Sequence, residues 1–86
     1  MRNKEELEKY WNGKAQFVLK GKTIVDVFYM SETESEEWGW YKRPIVMVLD
    51  DHTQLIVSAD DEGNDGGSLF YATDEEPNGV LPTLSV

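Results

Sequence analysis

The sequence predicts a small α+β domain of mainly β type: a curved antiparallel sheet, or an SH3-like partly open barrel, of about five strands with an N-terminal helix. Three observations predict it. Ile45–Leu49 and Leu55–Val57 are apolar runs rich in Val and Ile, joined by the polar link Asp50-Asp51-His52-Thr53. Thr23–Met30 is another β-branched and aromatic run, and Leu7, Tyr10 and Trp11 fall at helical spacing. With 86 residues, 40% of them hydrophobic, the chain is expected to fold as one domain over residues 1–86. The helix is expected over about 4–12 and the β core over about 15–86.

In chain order, Asn3 can cap the helix, with Glu6 at the capping-box position and Glu5–Lys9 as a favourable pair. Gly13 offers a left-handed stop. So short a helix is marginal alone, so its stripe is expected to dock on the sheet with Trp11 as the anchor. Ala15–Lys20 reads as a first strand. Thr23–Met30 reads as a second, with Val25, Val27 and Tyr29 on one face and Ile24, Asp26, Phe28 and Met30 on the other. The Lys20-Gly21-Lys22 link fits a hairpin or a bend.

Ser31–Trp38 breaks the β pattern. Ser31 and Glu34 have capping-box spacing and Gly39 ends the turn of helix. In the central hairpin, Asp51 and His52 are expected at the turn centre. That pairs Val48 with Leu55 and Val46 with Val57 on one face, and Met47 with Ile56 and Ile45 with Ser58 on the other. Both faces are then apolar and expected to be covered. Pro44 fits only a strand's first residue or an edge. Residues 59–67 read as an ordered acidic, glycine-rich loop, and 68–72 as a short apolar segment. Thr73–Gly79 reads as an acidic turn, and Val80–Val86 as a closing edge strand that contains Pro82.

The runs GKTIVDVFYM (21–30), GWYKRPIVMVLDD (39–51) and SADDEGNDGGSLF (58–70) resemble a group of small uncharacterised bacterial and phage proteins. The resemblance runs from Gly21 to Phe70. It departs at the hairpin turn, where the pattern implies Gly and this chain has His52. It implies no activity.

Composition narrows the function classes. Net charge is −9 and unevenly placed: residues 1–22 carry six bases against three acids, and residues 23–86 carry two against fourteen. That disfavours direct binding to nucleic acid or an anionic membrane and permits basic partners. Cysteine is absent, so no disulfide framework or thiolate metal site is expected. The start of the chain lacks the apolar core of a secretory signal, and the longest aliphatic run is far too short for a membrane span. A cytoplasmic protein without a cofactor is expected.

Two candidate sites emerge. The acidic loop could hold a hard cation through Asp60, Asp61, Glu62 and Asp65, although EF-hand spacing fails. Counted from Asp60, the glycine position falls on Asp65 and the last ligand on Tyr71. Counted from Asp61, Gly66 fits, but the third position is Gly63 and the last Ala72. The alternative is an Asx-type turn in which Asp60, Asp61 and Asn64 bond nearby backbone. A small anionic ligand such as a nucleotide could instead meet an N–H nest of consecutive residues from Asn64 to Ser68, taking in Asp65, Gly66 and Gly67. Trp38, Trp40 or Tyr41 would stack on its base and Lys42-Arg43 would meet phosphate. The plain alternative makes Trp38 and Trp40 core or lid residues, and Lys42 and Arg43 a solvated strand entry. His52, the sole histidine, is accounted for by its turn.

The reading is a non-catalytic protein-interaction or ligand-binding module. The alternative is an acidic, phage-type inhibitor that mimics nucleic acid and docks on a nucleic-acid-binding protein. A third is a small-nucleotide or Ca²⁺ binder through the 59–68 loop. A homodimer through edges at the Ala15 or Val80 strands is also admitted.

Overall fold

The computed structural model describes residues 3–71 and 76–85. The element order is α1 (Lys4–Leu19), β1 (Ile24–Tyr29), α2 (Glu32–Glu37), β2 (Ile45–Leu49), β3 (Gln54–Ile56), β4 (Leu69–Tyr71) and β5 (Gly79–Leu81). The α+β reading with an N-terminal helix and five strands holds. The strands do not close into a barrel: β1-β2-β3 form one open antiparallel sheet and β4-β5 a separate two-stranded one.

The largest departure is at the N-terminus. Asn3 caps α1 as expected, its Oδ1 accepting the Glu6 N–H at 2.8 Å. The helix then passes through Gly13 and ends at Leu19 with Lys20 as its cap, taking in all but the last residue of the segment expected as a first strand. Glycine inside a helix costs about 1 kcal/mol, too little to stop one followed by good helix formers. The stop is supplied by Gly21, at φ +76°. A strand at Ala15, and a dimer edge there, are therefore overturned.

β1 pairs with β2 and is an edge strand. A bulge between Ile24 and Asp26 puts Ile24 opposite Leu49 and Asp26 opposite Val48. Ile24 thus joins the face of Val27 and Tyr29, not that of Asp26 and Phe28 as strict alternation would have it. α2 forms where its cap predicts: Ser31 Oγ accepts the Glu34 N–H at 3.1 Å.

The β2–β3 hairpin forms with a register one residue away from the expected one. Val46 faces Ile56, Met47 faces Leu55 and Val48 faces Gln54. The reason is the turn. Its loop is three residues, Asp50-Asp51-His52, with the His52 N–H donating to Leu49 O at 2.9 Å and the Leu49 N–H to Thr53 O at 2.8 Å. Only His52 takes positive φ, +73°. That is the three-residue hairpin loop with a left-handed last residue, not a two-residue turn. It is also where the resemblance implies Gly. Lys22 Nζ forms an ion pair with Asp51 beside this turn.

Ile45, Val46 and Leu49 are buried, so β2 is covered on both faces. β3 is only half covered. Met30, Trp40 and Val46 form the core, with Ile56 against it. Pro44 precedes β2 and is fully buried. The segment 68–72 contains β4. The turn expected over Thr73–Gly79 lies partly outside the described residues, and the closing strand is reduced to Gly79–Leu81. Among the described residues beyond Pro82, Leu84 bridges Arg43. No described helix is long and apolar enough to cross a membrane.

Candidate functional site

The acidic loop is ordered by its own backbone. Ser58 bridges Gly66, the Ala59 N–H donates to Asp65 O at 2.8 Å, and the Gly67 N–H donates to Val57 O at 2.6 Å. Ser58 Oγ donates to Asp60 O or Asp65 O, at 2.9 and 3.0 Å. The Asp60 carboxylate accepts the Glu62 N–H at 3.0 Å, the Asn64 N–H at 3.2 Å and Asn64 Nδ2 at 2.8 Å. These donors, Asn64 foremost, hold the Asp60 carboxyl below its ordinary range. Asp65 Oδ1 accepts the Gly66 N–H at 2.8 Å and the Lys42 N–H at 3.2 Å. The Asp60 arrangement is an Asx-type turn.

This geometry engages several of the groups that the two loop readings need. Among the described residues no three acids or histidines come together as a metal-ligand set, so Asp60, Asp61, Glu62 and Asp65 do not form one. The N–H groups of Asn64, Gly66 and Gly67 bond within the protein and do not form an anion nest. Gly66 and Gly67 serve close packing: a Cβ at Gly66 would meet Pro44 Cδ at 2.7 Å, and one at Gly67 would meet Ser58 O at 2.5 Å.

The aromatic cluster separates into different roles. Trp40 is buried, and its Nε1–H donates to Gly63 O at 2.7 Å, tying the loop to the core. Trp38 stands edge-on to it, ring centroids 4.7 Å apart, and is half exposed. Tyr41 is 91% exposed. Arg43 Nε donates to Met30 O at 2.8 Å, so the guanidinium straps the end of β1 to the entry of β2. Trp40, Tyr41 and Arg43 line one cleft of about 180 Å³ with Glu32, Ser35 and Glu36. That is smaller than the 300 Å³ or so at which ligand sites for drug-sized molecules begin, and its two carboxylates oppose an anion. Ser68, Gly66 and Lys42 line a different groove, beside Phe70. The structure therefore does not bring the expected ligand residues to one place.

Nothing matches this chain among protein-family models, curated proteins or solved structures.

The feature that the sequence reading missed is an apolar surface. None of the sixteen residues of α1 is buried. Trp11, the expected anchor, is 58% exposed, and Leu7, Tyr10, Phe17 and Leu19 are exposed with it. Ile24, Val25, Val27 and Phe28 of β1 are exposed too. The expectation that α1 docks on its own sheet is overturned. The spacing carries the stripe but not what covers it: once the helix runs past Gly13, Phe17 and Val18 extend the stripe of Leu7, Tyr10 and Trp11.

Proposed function

We propose that this chain is a non-catalytic protein-interaction module and that α1 is its contact surface. One observation carries the reading: a sixteen-residue amphipathic helix with no buried residue. An isolated helix of this length is marginal in water, and most helical stability in proteins comes from packing an apolar face. Exposed apolar area of this extent marks an interaction surface. The alternative docking mode, through the acidic residues of 23–86, rests on charge alone and would be screened by salt.

The test is capture on immobilised chain at low and high salt, run beside a Leu7→Lys/Trp11→Lys variant. The reading expects binding, including any binding to free chain, to persist at high salt and to vanish with the variant. Binding lost at high salt and indifferent to the variant would transfer the role to the acidic surface. No binding by either chain would end the proposal.

A further inference from the structure

We infer that the partner of α1 is a second copy of this chain, with the two α1 helices side by side and antiparallel. The inference rests on the interaction reading above and names its partner. Three observations carry it.

The first is area. The chain exposes 6846 Å². A compact protein of 9.9 kDa exposes about 5,200 Å². The excess of roughly 1,600 Å² per chain is ample for a standard interface, which takes about 800 Å² from each partner. The radius of gyration agrees: 15.0 Å, against about 12 Å for a compact chain of this length.

The second is spacing. Leu7, Trp11, Lys14 and Val18 are separated by four, three and four residues, which is the seam of a left-handed helix pair. Laid antiparallel, that seam is complementary to itself. Leu7 meets the second copy's Val18, and Trp11 meets its Lys14. The Trp11–Lys14 pairing already exists within one chain, where Lys14 Nζ lies 5.4 Å from the Trp11 ring centroid. The two-fold repeats each contact, as an isologous dimer requires.

The third is charge. Residues 23–86 carry fourteen acids against two bases, so two such bodies repel. α1 carries three lysines and three glutamates and is neutral. It is the element through which two copies meet without crowding their acids. Its first half holds Glu5, Glu6 and Glu8 against Lys4 and Lys9 and is net negative by one charge, whereas its second half holds Lys14 alone, with Lys20 just past the end, and is net positive. Antiparallel packing sets opposite charges near each other; parallel packing would set like against like. Strand addition at β1 is the less suited contact, because Asp26 lies on that edge strand and its Oδ1 accepts the Val27 N–H at 2.9 Å.

Sedimentation equilibrium of the full chain, from about micromolar to about millimolar, tests this. The mass should rise to twice 9.9 kDa. Trp11→Lys should weaken dimerisation by roughly tenfold or more, and Lys14→Leu, which completes the seam, should tighten it by a similar factor. The second variant keeps the test decisive if the first unravels the helix. A dimer whose dissociation constant ignores both variants overturns the surface. A Trp38→Phe chain leaves Trp11 the one exposed indole, so acrylamide quenching reports on it. A chain monomeric throughout with Trp11 open to quencher overturns the second copy and leaves the interaction reading standing. A monomer with Trp11 shielded overturns both.

Discussion

Two tryptophans divide this molecule. Trp40 sits in the core with its indole N–H on the Gly63 carbonyl, so one side chain fastens the sheet and the acidic loop together. Trp11 sits on a sixteen-residue helix with no buried residue. The regions differ in what supports them. The sheet and loop are held by contacts distant in sequence, whereas α1 is held within its own chain by local hydrogen bonds and an Asn3 cap. The difference teaches that a well-formed helix in a short chain need not belong to that chain's core.

The sharpest way to break this contrast is to truncate both tryptophans. Trp40→Ala should destabilise the fold by about 3–5 kcal/mol, the range for removing a buried aromatic, read as a shift in the urea midpoint. Trp11→Ala, measured in dilute solution, should change the midpoint of the sheet by no more than about 0.5 kcal/mol. Comparable losses from both would mean that α1 shares the core after all.

Next in size is Gly67→Ala. The new methyl would meet the Ser58 carbonyl, a backbone group that cannot swing aside. A cost of about 1–3 kcal/mol is expected by thermal melting, since overpacking forces the backbone to move. A neutral result would show that the loop is not braced against the hairpin. Smaller and opposite in sign, His52→Gly should raise stability by about 0.5–1 kcal/mol. The left-handed backbone costs an L-residue roughly 1–2 kcal/mol, and glycine's extra chain entropy cancels part of that gain.

Acid should act on the sheet-and-loop region through two carboxylates. The Asp51 carboxyl is held well below its ordinary value, first by its bond to Lys22 and then by Thr53, and Asp60 is lowered by Asn64. A folded value below the unfolded one stabilises the protein above the unfolded carboxylate value of about 3.9. That stabilisation is lost as pH falls through the folded value. Asp60→Asn should therefore flatten the dependence of the melting temperature on pH between about 5 and 2.

Much of the fold was legible in the residues themselves. Ser31–Glu34, Asn3–Glu6 and the bounds of Ile45–Leu49 are set by local chemistry, and each appears where that chemistry puts it. The hairpin register was not legible, because the strands are apolar on both faces and patterning cannot penalise a slip of one residue. The turn decided it, and a histidine concealed a position that glycine would have announced. Gly13 misled for a related reason: glycine permits a helix to end but does not require it. As to the site, the Asx-type turn at Asp60 was legible in the spacing of Asp60 and Asn64, but the distant partners were not: Trp40 meets the Gly63 carbonyl and Asp65 the Lys42 N–H, contacts 23 residues apart that no local rule names. The exposed helix was invisible because an apolar stripe reads the same whether its cover comes from its own chain or another.

The indole bond to Gly63 has a kinetic corollary. A loop fastened at its tip to a core side chain cannot open piecemeal; it must wait for the core to open with it. The amide protons of Ala59 and Gly67, donated to carbonyls across the loop and at the end of the hairpin, should trade for deuterium as slowly as those of β2. Those of a lone α1 should be gone almost at once.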